Sequence, residues 1–382
     1  MSVSQTAAIP SPSGASPSSV FLLCSYAALS SAIQQMERDL AAGSAVRIFV
    51  FNPALHKFLQ PLATGRITLT PAFHSIHVGL YRFWTWLPRA LAMRKWLRGL
   101  FGTVTGSTIY FYNDGFHLPL LAAIAFLARQ SGNHLVFEDW DHTRATGLDQ
   151  KPCPAVFQRV LGALSGWIGG VPVVMLDPTQ PFLCLRPDFY EQHGIERKKR
   201  SSDTLKEGRK LALAQTLVRQ SEARVIWLWD DFVRFYGPQK VPGESYYQMY
   251  RQLFAQTSAV VPPAEQAVKP HPYLDEVELP VFSGCEILPA WVPIEFIKFT
   301  RPVIAITIAS HAMKCLLEQG FPVISLVKML QALPEVVEEQ NQALQHWIEV
   351  GERLHLPASV DEFTTILRAL TSKGGDQQTL SH

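Results

Sequence analysis

The sequence predicts an α/β chain built as two doubly wound halves, and three observations carry that expectation. At 382 residues the chain exceeds the ~100–200 residues over which one hydrophobic core ordinarily extends, so two domains are the default. Short continuous apolar runs, the pattern of strands buried on both faces, alternate with helical stretches. That alternation breaks off in a polar stretch with a basic cluster at Arg197 to Arg200, and then begins again.

Taken in order, residues 1–18 are rich in Ser, Pro, Gly and Ala and read as a disordered leader. "VFLLCS" (Val20 to Ser25) reads as a strand, "YAALSSAIQQMERDLAAG" as a helix closed near Gly43, and "AVRIFVFNP" as a second strand. The rhythm repeats in the strand "STIYFYND", the helix "FHLPLLAAIAFLARQ" and the strand "NHLVFEDWD" (Asn133 to Asp141), with "GVPVVMLDP" (Gly170 to Pro178) as a further strand. This first Rossmann-like domain spans 19–195, and a linker is expected over 196–222. A second apolar series fills 223–372: "ARVIWLWDD", a helix at "GESYYQMYRQLFAQ", the strand-like approach to "KPHP", the strand "PVIAITIAS", the helix "HAMKCLLEQG", the strand "FPVISL" and a closing helix "SVDEFTTILRAL". Residues 373–382 read as a disordered tail.

Bulk composition narrows the function classes. Hydrophobic residues at 47%, charged residues at 17% and a formal net charge of +2 describe an ordinary globular chain, with no general case for nucleic acid. Five cysteines (Cys24, Cys153, Cys184, Cys285, Cys315) are odd in number, with no CxxC and no paired spacing for zinc, which fits a reducing cytoplasm. The N-terminus lacks the basic start and apolar run of a signal peptide, and no run of ~18 uncharged apolar residues predicts a membrane span. A cytoplasmic protein is the expectation.

Four stretches carry candidate chemistry. In "FEDWDH", Glu138, Asp139 and Asp141 gather at a strand end beside His142. Carboxylates there serve as a general base or as ligands of a divalent cation, Asp139-Trp140-Asp141 being a literal DxD; the plainer alternative is an acidic, solvated turn. In "KPHP", Pro270 and Pro272 fix their own φ near ~−65° and push Lys269 and His271 away from helical geometry. His271 is thereby held in extended backbone, suited to protonating a leaving group near neutral pH, unless the ring only braces a loop. Downstream, Ser310 reads as the N-cap of a helix starting near His311, a natural anion site in combination with "KPHP". Between them, Glu295 in "PAWVPIEF" is placed to accept from ribose hydroxyls. Finally, Gly79 to Phe101 interleaves Arg82, Arg89, Arg94, Lys95 and Arg98 with Trp84, Trp86, Trp96 and Phe101. That mixture suits a segment lying at a membrane surface, the alternative being a buried and basic helix pair.

In that order, a first strand and helix like "VFLLCSYAALSSAIQQME", an acidic pair after a later strand, a His-Pro motif, a "VPIE" segment and a serine at a strand-to-helix turn resemble the bacterial sialyltransferases and polysialyltransferases of GT-B fold. The resemblance is closest to glycosyltransferase family 52, the lipooligosaccharide sialyltransferase type, and covers Val20 to Leu326 in pattern. It implies a GT-B-like fold, two doubly wound Rossmann-type domains facing across a cleft. It also implies inverting, metal-independent transfer of sialic acid or a related acidic sugar from a CMP-activated donor to a cell-surface glycan, with no cofactor. Glu138, oriented or replaced by Asp139, would take the acceptor proton. His271 would act on the departing phosphate, and Lys269, Pro272, Glu295, Ser310 and His311 would bind the donor. Gly79 to Phe101 would hold the enzyme near a lipid-linked acceptor at the inner membrane. Trp140 stands where the family carries glycine, and "YNDG" near Asn113 is a rival match for the acidic motif.

Other readings stay open at this point. The donor is alternatively CMP-Kdo, or CDP-glycerol in a capsule or wall polymer transferase, and the base is alternatively Asp230, Asp231 or Glu244. From another class, the chain is a non-catalytic glycan- or nucleotide-binding relative.

Overall fold

The computed structural model describes residues 18–24, 26–72, 86–112, 132–139, 187–192, 194–199, 211–271, 281–310, 312–348 and 353–376, with isolated positions between 156 and 167. They divide into two compact units, the first running to Leu217 and the second from Val218.

The first unit is built on a six-stranded parallel sheet in the order β3-β2-β1-β4-β5-β6. Its strands are β1 (Ser18–Leu23), β2 (Ala45–Val50), β3 (Ile67–Pro71), β4 (Thr108–Tyr112), β5 (His134–Asp139) and β6 (Glu196–Lys199). β1 is central, and Val20 to Leu23 are fully buried, as an apolar run between two sheet neighbours requires. Helix α1 (Leu29–Ala41) buries Leu29, Ala32, Ile33 and Met36, the i, i+3, i+4, i+7 stripe of one helical face. It stops where Gly43 adopts φ 90°, a left-handed position that lets the last carbonyls close on Ala42, Gly43 and Ser44. Helix α2 (Pro53–Leu59) starts on Asn52, whose side chain accepts from the amides of Ala54 and Leu55, with Pro53 at the first helical position. Helix α3 (Trp86–Phe101) precedes β4 in the chain.

The stretch read as a linker begins with a strand instead. Glu196 to Lys199 pair in parallel with Val136 to Asp139, and all the described side chains of this strand are exposed. A strand at the sheet edge has one open side and tolerates, even favours, charge, so it carries none of the apolar signal of β1. Helices α4 (Pro187–Gln192) and α5 (Ala212–Leu217) belong to the same unit. The amide of Leu213 donates to Glu37 of α1 at 2.6 Å. The ends of the chain also differ by a few residues: Ser18 is already paired with Ala45, and the last helix continues to Asp376. Residues 1–17, the helix expected after Asp114 and the strand expected at Gly170 to Pro178 lie outside the described residues.

The second unit repeats the topology. Its main sheet is parallel, in the order β10-β9-β8-β12-β13-β14. The strands are β8 (Val225–Trp229), β9 (Gln266–Pro270), β10 (Glu286–Ile287), β12 (Ile304–Thr307), β13 (Val323–Ser325) and β14 (Leu354–His355). β7 (Arg219–Ser221) and β11 (Ile297–Phe299) form a small parallel pair beside it. Counted within the unit, the order is 3-2-1-4-5-6, the Rossmann arrangement, as in the first sheet. The helices are α6 (Phe232–Tyr236), α7 (Gly243–Ser258), α8 (Ala312–Glu318), α9 (Pro334–Ile348) and α10 (Val360–Asp376).

One face of β8 anchors this core. Trp227 and Trp229 meet Tyr250 of α7 at ring separations of 6.2 and 4.7 Å, and Phe282 at 5.2 and 5.4 Å. Each buried aromatic removes about 150–250 Å² from water, on the order of 4–6 kcal/mol before entropy is counted. The Trp227 indole nitrogen donates to Gln266 at 2.9 Å, so that even its polar atom is matched.

Candidate functional site

In open parallel sheets the carboxyl ends of the strands face the ligand, at the point where strand order reverses. In the second unit that point lies between β8 and β12. Asp230 directly follows β8, Lys269 and Pro270 close β9, Ser310 comes three residues after β12, and Glu295 sits in the 3-10 turn Ile294–Phe296 set by Pro293. The chain thus delivers four polar residues from four segments to one sheet edge.

Their local chemistry is tightly connected. Asp230 is buried, and its backbone carbonyl accepts from the Tyr246 hydroxyl. The Ser310 oxygen in turn accepts from the amide of Ala312 at 3.4 Å, the capping role expected of it. Burial pushes the Asp230 carboxyl up to about 7, opposed by the charge of Lys269 and by Ser310. Lys269 is itself 6% exposed. Burial pulls its ammonium down to about 8, with Glu295 and then Asp230 working against that change. The ammonium donates to the carbonyl of Pro270 at 2.6 Å and of Ala290 at 2.9 Å. Two of its three donors therefore serve the protein's own backbone.

His271 stands at the end of this assembly. Its amide donates to the carbonyl of Trp229 at 3.0 Å, extending the β8–β9 ladder by one step past Pro270, which has no amide hydrogen to give. Its half-buried ring meets Phe235 of α6 edge-on at 5.5 Å, and Phe235 is 48% exposed. Pro272 and His311 lie outside the described residues. Of the other acidic candidates, Asp231 caps α6 by accepting from the amide of Arg234 at 3.1 Å and takes the Tyr247 hydroxyl at 3.3 Å. Glu244 is exposed in the first turn of α7.

In the first unit, Glu138 lies at the carboxyl end of β5, between Tyr112 of β4 and Lys198 of β6. It is half-buried and accepts from the Ser31 hydroxyl in the first turn of α1. Asp139 closes the strand, while Trp140, Asp141 and His142 lie outside the described residues. Among the described residues, no group of three or more His, Cys, Asp or Glu side chains is gathered in a way that would hold a metal ion.

Sequence reasoning named Lys269, Glu295 and Ser310, and the structure brings them together. It underrated Asp230, weighed only as a rival base, although a carboxylate ending the apolar run "VIWLWDD" carries the same strand-end signal as "FEDWDH". Ser31 gave no signal, because a serine in a helical stretch is unremarkable without the fold. In the aromatic-basic segment, residues 79–85 lie outside the described residues. Within α3, Trp96 turns inward onto Phe49 and Phe51 at 6.0 and 5.5 Å, and Leu97 is fully buried. Arg94 lies over the ring of Trp167, while Lys95 and Arg98 are exposed. No helix of the described residues is long and apolar enough to cross a membrane.

No family model and no curated protein matches the chain. Among solved structures, CalG4, the calicheamicin glycosyltransferase, overlays on 95% of this chain and 91% of its own, at 12% identity and a TM-score of 0.45. The spinosyn forosaminyltransferase SpnP overlays on 95% and 91%, at 11% identity and a TM-score of 0.42. UGT2 of Phytolacca americana, complexed with UDP-2fluoro-glucose and pterostilbene, overlays on 95% and 92%, at 10% identity and a TM-score of 0.41. Two Rossmann-type units in tandem, the composition of a GT-B-like chain, stand on this chain's own strand orders.

Proposed function

We propose that the chain is an inverting, metal-independent glycosyltransferase of the cytoplasm, moving sialic acid or a related acidic sugar from a CMP-activated donor to a cell-surface glycan such as lipooligosaccharide or capsule. The observation that supports this best is the set Asp230, Lys269, Glu295 and Ser310 gathered beside His271 at the carboxyl edge of a Rossmann-order sheet. A nucleotide phosphate and ribose are the ligands such an edge is built to meet.

In the proposed reaction Glu138 accepts the proton of the acceptor hydroxyl as its oxygen bonds to the anomeric carbon. The bond from that carbon to the phosphate oxygen breaks, and the electron pair leaves with CMP. His271 donates a hydrogen bond or proton to that phosphate, and Glu295 accepts from ribose hydroxyls. Lys95 and Arg98, exposed on α3, supply peripheral contact with an anionic membrane surface.

CMP release tests the proposal, with CMP-sialic acid, CMP-Kdo and CDP-glycerol offered separately, with and without EDTA. Turnover of CMP-sialic acid that survives EDTA is the expected result. Preference for one of the other donors changes the sugar and keeps the reaction class. Nucleotide binding without turnover of any donor overturns the enzyme reading in favour of a binding protein.

A further inference from the structure

We infer that Phe235 is a positioning residue for His271, its phenyl ring holding the imidazole in one orientation at the carboxyl edge of the second sheet. The inference rests on the reading of His271 as the group that meets the leaving phosphate.

The backbone of His271 is fixed before its side chain is considered. Its amide donates to the Trp229 carbonyl at 3.0 Å, and Pro272, the next residue in the chain, keeps it out of helical geometry. Two side-chain torsions remain. The first has about three staggered wells and the second roughly two, so an unrestrained imidazole would spread over about six orientations. The Phe235 ring meets the imidazole with centroids 5.5 Å apart and planes at 81°, an edge-to-face arrangement inside the favourable range of about 4.5–7 Å. An imidazole turned elsewhere forfeits that contact.

Helix α6 holds Phe235 in place for this. Asp231 caps the helix through the amide of Arg234 at 3.1 Å, and the amide of Phe235 itself donates to the Asp231 carbonyl at 3.0 Å. Phe232 and Tyr236, four residues apart on one helical face, meet each other at 5.5 Å. Phe232 also stacks on Tyr246 of α7 at 6.3 Å, and the Tyr236 hydroxyl accepts from Gln340 of α9 at 2.7 Å. With those two rings turned to packing partners, Phe235 is left 48% exposed. Single exposed apolar residues are ordinary on protein surfaces. What distinguishes this one is that its ring lies against the histidine read as the leaving-group acid.

The test compares the full chain with Phe235→Leu, which keeps apolar bulk without a planar ring, and with Phe235→Tyr, which keeps the ring. The imidazole proton resonances of His271, assigned by their disappearance in His271→Ala, should move in Phe235→Leu and return toward the parent position in Phe235→Tyr. Resonances unmoved in Phe235→Leu would show that the two rings do not meet in solution and would overturn the inference. With CMP release as the readout, Phe235→Leu should lower kcat about three- to tenfold, the dilution expected over about six orientations. Donor KM should stay within about twofold, Phe235→Tyr should restore kcat, and Phe235→Leu added to His271→Ala should cost nothing further. An unchanged kcat, a loss confined to KM, or a loss additive with His271→Ala overturns the positioning role. If no donor turns over even in the parent chain, the proposed reaction falls, and the resonances alone decide whether Phe235 orients His271. The two failures are thus distinguishable.

Discussion

The Ser310 side-chain oxygen accepts the amide of Ala312 at 3.4 Å, three residues past the end of β12 and beside the point where the order of the second sheet reverses. Ser310→Ala should therefore destabilise the chain by about 0.5–2 kcal/mol, the cost of losing a side chain that caps a helix start, while Ser310→Thr should keep most of that stability. Urea unfolding followed by tryptophan fluorescence reads both; equal losses in the two variants would count against the bond.

Opposite pH slopes should appear in stability. Asp230 is raised from 3.8 to about 7, so the folded state holds a proton that the unfolded state has released. Its contribution is fully present below pH 3.8 and is lost as pH rises through 7. Lys269 is lowered from 10.5 to about 8, so its contribution is present above pH 10.5 and is lost as pH falls through 8. Unfolding midpoints measured from pH 4 to 10 should dip between those two values, and Asp230→Asn should flatten the acid side of the dip. A slope on that side unchanged by the substitution would show that another group sets it.

Glu138→Gln and His271→Ala should each reduce CMP release by roughly 10²–10⁴-fold, the range over which a positioned acid or base acts. Both should leave CMP binding within reach of calorimetry, because neither substitution disturbs the strands that form the edge. Ser31→Ala, which removes only the hydroxyl that holds Glu138, should cost activity less than Glu138→Gln. Unchanged turnover in both catalytic variants would remove these two residues from the reaction.

The elements legible in the sequence are those whose burial is simple. β1 and β8 are central strands covered on both faces, and their apolar runs announce them. β6 is an edge strand, and it reads as linker because solvent reaches the side chains of Glu196, Arg197 and Lys198. The same logic applies to the site. Proline spacing around His271 is a property of local chain geometry and can be read directly, whereas the partners of Lys269 lie one and twenty-one residues away and depend on how β9 and the Ala290 segment fold together. A lysine beside "PHP" reads as a phosphate ligand, and the two backbone carbonyls it holds become visible only in the fold.

Contact with a membrane, if α3 makes it, should be electrostatic. Trp96 and Leu97 are packed against the sheet, which leaves them unable to enter a bilayer without unfolding that contact. The groups that α3 presents to solvent include Lys95 and Arg98. Each basic residue near an anionic surface contributes about 1 kcal/mol, within a Debye length of ~10 Å at 0.1 M salt that shortens as salt is added. Cosedimentation with phosphatidylserine vesicles should fall steeply between low and high salt, and Lys95→Glu with Arg98→Glu should abolish it at low salt. Comparison with a Trp96→Phe variant isolates this ring among the nine tryptophans, and its share of the emission should stay unshifted on binding. Salt-resistant binding with a blue shift would mean insertion through apolar side chains, and the basic residues would then be incidental.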